Sequence, residues 1–185
     1  MEVKEIVGYK RESFKKKDLK DIRSQGNVPG VLYGGKIHKN FIIPYFLLQD
    51  IVYTNKKYLL KFNLDGEIYD CILKDIQFHP VSDIILHIDL LEVDNKKKIV
   101  ESLNIEKQGI PIGVKNGGLL LQKKKKIVIR GFANSIPSVI NIDISNLDGG
   151  DTFRVNNLPA IEGCEYLDNS KDQIFSLKAP RTSSN

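Results

Sequence analysis

Apolar residues recur along this chain in short runs with a period of two, and no long helical period emerges. Tyr58–Leu64 and Ile68–Phe78 flank Asp65-Gly66, and a strand-like run on either side of Asp-Gly predicts a tight hairpin. Ile84–Val93 reads as a further strand, and Val31–Tyr33 and Phe41–Ile43 as two shorter ones. Residues 1–10, with Val3, Ile6 and Val7, predict a first strand. Two helices fit between these runs. Ser13–Gln25 is polar with Leu19 and Ile22 three apart, and Gly26 stops it. Pro44 is expected to open a second helix, with Phe46, Leu47, Ile51 and Val52 on one side. Asn27 before Val28-Pro29-Gly30 reads as a turn. Five or six short strands with two helices in about 94 residues predict a small closed β-barrel.

The polar break Asp94-Asn95-Lys96-Lys97-Lys98 divides the chain into a barrel domain, 1–94, and a C-terminal domain, 95–185. Beyond the break, Val100–Ile105, Ile127–Ile129 and Val139–Ile144 predict strands, with turns at Gly117-Gly118 and Gly149-Gly150. The predicted fold class is mainly β with short helices: a closed N-terminal barrel, then a second, mainly β domain. Arg181–Asn185 is expected to be a frayed tail.

Composition narrows the classes of function. No apolar run approaches the length of a membrane helix, and the opening Met-Glu-Val-Lys-Glu lacks a secretory pattern. Cys71 and Cys164 form neither a CxxC pair nor a disulfide framework, so a reduced, cytoplasmic setting is expected. The net charge of +5 suggests an anionic partner only weakly. Its distribution says more. Residues 1–62 carry 13 Lys/Arg against 6 Asp/Glu, whereas residues 63–94 carry 1 against 8. A fold that separated these segments would let one face meet phosphates.

No catalytic constellation is apparent. There is no GxSxG elbow, and Gly113–Gly118 is not a phosphate loop because Lys115 precedes the final glycines. Cys71, His79, His87 and Asp89 match no metal-binding spacing, and Cys71 reads as a buried strand residue. Neither an enzyme nor a cofactor is expected. His87 and Asp89 share one face of a strand, opposite Ile88. Such a pair is either an incidental feature of a solvated face or a group that reads a base edge or a ribose 2′-hydroxyl. Arg11, Lys15, Lys16, Lys17, Lys20 and Arg23 crowd one loop–helix segment suited to phosphates, or form a solvated basic face. Tyr33 is either a core aromatic or a stacking platform. Lys123–Lys126 is a second, weaker candidate for phosphates, or guards the edge of the predicted strand it leads into.

Arg23-Ser-Gln-Gly-Asn-Val-Pro-Gly-Val-Leu-Tyr33-Gly34 resembles the opening motif of the large-subunit ribosomal protein numbered twenty-five, the 5S rRNA-binding family. Gln77-Phe-His-Pro80 followed by His87-Ile-Asp89 resembles its second signature. Gly109–Gly118, Ile136-Pro137 and Asp143–Asp151 resemble the C-terminal domain of the long form, the general stress protein CTC type. The resemblance implies that the barrel binds 5S rRNA near its internal loop E, across the minor groove and along the phosphates. The matching positions are Arg11, Arg23, Tyr33, Gln77, His87 and Asp89; Lys20 takes a position often basic, and Asp21 stands where some members carry arginine. With Lys15 and Lys16 from the cationic segment, these form the expected RNA-binding set. The resemblance also implies neighbouring large-subunit proteins as partners, no membrane, and a monomer within the cytoplasmic ribosome. Other readings stand beside it: an RNA-binding module of the tRNA anticodon-binding type, or a ribosome-associated stress or interaction protein. Of the acids in 63–94, Asp89 alone is expected to point at RNA.

Overall fold

A computed structural model describes residues 1–11, 16–35, 37–94 and 96–179. The tail Arg181–Asn185 and Lys15 lie outside the described residues. The chain divides into two compact units, Met1–Lys97 and Lys98–Asn185.

The first unit runs β1 (Glu2–Lys10), α1 (Lys16–Ser24), β2 (Asn27–Gly34), β3 (Ile37–Pro44), α2 (Tyr45–Val52), β4 (Tyr58–Leu64), β5 (Glu67–Phe78) and β6 (Ile85–Glu92). The six strands close into a barrel in the order β1-β3-β2-β6-β5-β4. Closure comes from β1 lying parallel to β4, with Glu2 opposite Tyr58 and Gly8 opposite Leu64. A second parallel pair, β2 with β6, sets Gly30 opposite Ile88 and Tyr33 opposite Leu91. A closed sheet leaves no exposed edge to recruit another chain.

Alternation fills the interior. Val28 and Leu32 of β2, Phe41 and Ile43 of β3, Leu60 and Phe62 of β4, Cys71 of β5, and Ile88 and Leu90 of β6 are all buried together. The Phe41 and Phe62 rings meet at 4.6 Å between centroids, tilted by 57°. The Asp65-Gly66 turn has positive φ at both residues, 52° and 96°, as a two-residue hairpin of this hand requires. Asn63 Oδ1 accepts a hydrogen bond from the Gly66 N–H at 2.8 Å and fixes the turn.

Two expectations are corrected here. Residues 27–30, read as a turn, are the first half of β2, because Val28 and Pro29 pair with Ile43 and Ile42 of β3. A turn signature in sequence was overridden by flanking strands. On α2 the expected side packs only in part: Ile51 is buried beside Leu48, and Leu47 and Val52 pack half-buried against the core, but Phe46 is 68% exposed.

The second unit runs β7 (Lys98–Gln108), α3 (Ile112–Lys115), β8 (Leu119–Gln122), β9 (Lys126–Phe132), β10 (Ile140–Asp143), β11 (Thr152–Arg154), β12 (Cys164–Tyr166) and β13 (Gln173–Lys178). It forms a four-stranded sheet, β10-β7-β9-β12, and a three-stranded sheet, β11-β13-β8. Leu103, Ile127, Ile129, Ile142, Ile174 and Phe175 are among its buried residues. Lys124, in the four-lysine run, binds Asp168 at 2.5 Å and Asp172 at 2.6 Å, tying the approach to β9 to the turn before β13. These carboxylates raise its pKa, the hydrogen bond to Asp168 contributing most. That lysine is structural rather than a guard.

Candidate nucleic-acid interface on the barrel

Strand register decides which polar residues share a surface. Asp89 of β6 lies opposite Val31 of β2 on one side and Asp75 of β5 on the other. Val31 lies opposite Asn40 of β3, whose carbonyl accepts from the Arg11 N–H at 3.0 Å. Arg11, Asn40, Val31, Asp89 and Asp75 therefore form one row across five adjoining segments, neighbours being about 4.8 Å apart. His87 and Gln77 are paired two residues along, and Tyr33 sits two residues from Val31 in the other direction, opposite His38. Cross-strand partners project to the same side. Since Leu32, Phe41, Ile88 and Leu90 point inward, the polar set faces out.

The fold brings Arg11, Tyr33, Gln77, His87 and Asp89 to one outer surface. His87 Nδ1 and Asp89 Oδ1 are 2.7 Å apart, and the side chains are 25% and 28% exposed. The carboxylate accepts from the Nδ1–H, so the ring is held in one orientation and Nε2 is the nitrogen left to donate or accept. The pair is reachable yet partly shielded from water, which strengthens a hydrogen bond made there.

Arg11 and Arg23 lie within electrostatic range of each other. The Arg11 guanidinium is held below its usual pKa by its own burial and then by the positive charge of Arg23. Arg23, in the last turn of α1, donates from Nε and Nη2 to the Leu86 carbonyl at 3.1 and 3.0 Å. It thus clamps α1 onto the start of β6, next to His87. Lys20 is exposed on α1, and Lys16 is the first residue of that helix.

The register adds residues that the sequence did not single out for this surface. His38 and Asn40 join it because β3 is the partner of β2. Their alternation with Lys39 and Phe41 was visible, but only the pairing shows which face they share. Asp75 also joins it, through an irregularity between Leu73 and Asp75 that reverses which side the strand presents. That corrects the expectation that Asp89 would be the one acid of segment 63–94 on this surface. Cys71, by contrast, points into the barrel, away from His87 and Asp89, and burial pushes its thiol pKa up. Among the described residues no group of three or more His, Cys, Asp or Glu is arranged to hold a metal ion.

Residues 6–90 match the profile of the Ribosomal L25p family, and residues 98–181 match that of the ribosomal protein TL5 C-terminal domain. The large ribosomal subunit protein bL25 of Amoebophilus asiaticus is 45% identical over 160 residues, covering 86% of this chain and 82% of the relative. The protein of the same name from Cytophaga hutchinsonii is 38% identical over 154 residues, covering 83% and 80%. That from Bacteroides fragilis is 38% identical over 171 residues, covering 92% and 87%.

Proposed function

The chain belongs to the Ribosomal L25p family, and from that premise we propose that it is a non-enzymatic constituent of the large ribosomal subunit whose N-terminal barrel binds 5S rRNA. The observation that carries the RNA reading is the shared outer surface of Tyr33, Gln77, His87 and Asp89, bordered by the Arg11–Arg23 pair. The minor groove of an RNA duplex is wide and shallow and displays 2′-hydroxyls and base edges. A rigid strand surface with a fixed imidazole, a carboxylate and an amide can lie against it and exchange hydrogen bonds. Arg11 and Arg23 lie within electrostatic range of each other and supply positive potential along the border of this surface, where phosphates pass. Exposed Lys20 extends the cationic border along α1. Asp89, tied to His87, accepts from a hydroxyl or an amino group rather than meeting a phosphate.

The assignment places the protein in the cytoplasmic ribosome as a single copy, with neighbouring large-subunit proteins around it. No helix among the described residues is long and apolar enough to cross a membrane. The first unit is assigned to RNA; the second matches the TL5 C-terminal domain. The test is a competition gel shift. Labelled 5S rRNA should stay bound in excess tRNA, and the protein should cosediment with large-subunit particles and crosslink there to 5S rRNA. Preference for tRNA, or absence from the particle, overturns the proposal.

A further inference from the structure

Beside the strand surface lies a cleft of about 270 Å³, lined by Arg23, Asn27, Val28, Tyr45, Ile84 and Ile85. It is smaller than the roughly 300–1,000 Å³ of pockets that enclose whole small ligands. Its floor is apolar, and two groups suited to stacking on a flat ring stand in its wall. One is the Arg23 guanidinium, held by its two hydrogen bonds to the Leu86 carbonyl. The other is the Tyr45 phenol, whose hydroxyl meets that of Tyr53 at 3.0 Å, while Tyr53 in turn donates to the Asp83 carbonyl at 3.2 Å. Both are therefore fixed before any ligand arrives. Asn27 lines the same cleft and offers an amide that can both donate and accept.

The cleft adjoins the surface already described, since Ile84 and Ile85 lead through Leu86 directly to His87. A second open cavity, lined by Lys10, Lys39, Asp65 and Glu67, has matched charges: Lys39 binds Glu67, and Asp65 accepts from the Lys10 backbone N–H. Both of its carboxylates are thus already engaged. The apolar cleft has two planar walls and cationic neighbours.

Resting on the 5S rRNA reading above, we propose that this cleft receives one unstacked nucleobase of the RNA held by the strand surface. The ring stacks against Arg23 or Tyr45, its edge reaches Asn27, and its phosphate stays near the arginine pair. Unpaired bases in RNA are commonly held in this way, on aromatic rings or guanidinium planes. A neighbouring protein's side chain is the competing occupant, and the cationic wall favours the nucleotide.

Two measurements test it. In the first, wild-type protein bound to 5S rRNA containing 4-thiouridine is irradiated and digested. The expected result is a crosslink from one nucleotide to the peptide bearing Tyr45 or the one bearing Ile84. In the second, Ile84→Glu, a substitution at a half-exposed position, should weaken 5S affinity about tenfold, in line with one stacked base, and expose one base to chemical probing. Tyr45→Ala should do the same. Tight 5S binding by wild type with neither crosslink nor loss in the variants overturns the cleft proposal and leaves the strand surface standing. Unchanged 5S binding by Ile84→Glu with weakened retention in the large subunit assigns the cleft to a protein and overturns it too. Failure of wild type to bind 5S rRNA sinks both readings together.

Discussion

The ring of Phe41 occupies the space a side chain on Gly30 would need: a Cβ built at Gly30 would stand 2.5 Å from it and 2.8 Å from Ile88 Cγ1. The Pro29-Gly30 dipeptide, which looks like a turn, is thus a packing requirement at the centre of the barrel. Gly30→Ala should destabilise the first unit by about 1–3 kcal/mol, the usual cost of overpacking. Urea unfolding followed by far-UV circular dichroism checks this. A variant as stable as wild type would show that the ring can move aside.

The His87–Asp89 pair leads to a prediction that separates binding from folding. His87→Ala and Asp89→Ala each remove a hydrogen bond on a reachable surface. Each should weaken 5S binding by about 1.5–3 kcal/mol, the value for hydrogen bonds to charged groups. Stability should fall by less, about 0.5–1.5 kcal/mol, the usual net contribution of one hydrogen bond. Gel-shift titration and thermal unfolding of the same preparations decide the matter. Equal losses in both would mean that the pair serves the fold instead.

Lys20 should act differently. Its ammonium is exposed on α1 and reads no base. Lys20→Ala should lower the slope of log affinity against log salt by about one, and weaken all RNA duplexes alike. Titrations at several salt concentrations with 5S rRNA and an unrelated duplex supply the readout.

Arg23→Ala should cost both stability and binding, because the guanidinium clamps α1 to Leu86 and also borders the RNA surface. Loss of a charged donor from a half-buried carbonyl predicts about 1.5–3 kcal/mol of destabilisation. Thermal unfolding checks it. Lys in place of Arg lacks the planar fork and should restore little.

Tyr53 predicts an alkaline signature. Its hydrogen bond with Tyr45, then burial, push the phenol up to about 12 from an ordinary value of 10.0. The protonated form is favoured in the folded state, so the stabilisation is complete below pH 10 and fades as pH rises towards 12. Tyrosinate absorbance should show one phenol ionising late, and Tyr53→Phe should remove that step.

Much of this architecture could be read from residue patterns, and the exceptions have identifiable causes. Tyr58–Leu64 and the Asp65-Gly66 hairpin were legible because alternation and turn chemistry agreed. The first half of β2 was not, since Val28-Pro29-Gly30 has turn composition and becomes a strand only through β3 and β6. In the second unit, β11 and β12 are three residues each, too short to show a period. Within the candidate interface, His87 and Asp89 were legible as a pair two apart on one strand. Asp75 and Asn40 were not, because their faces depend on a bulge and on strand order. The cleft beside Arg23 was also hidden, because its walls come from α1, β2, α2 and the segment before β6.

β6 sits between β2 and β5 in the ring, so the barrel stays open until Ile85–Glu92 has been made. During synthesis, at about 5–20 residues per second, the first five strands leave the exit tunnel with two unsealed margins. The last strand to emerge carries His87 and Asp89. A nascent chain therefore cannot present the imidazole–carboxylate pair in a folded setting before its first unit is essentially whole, so assembly begins with a finished module rather than a half-built one.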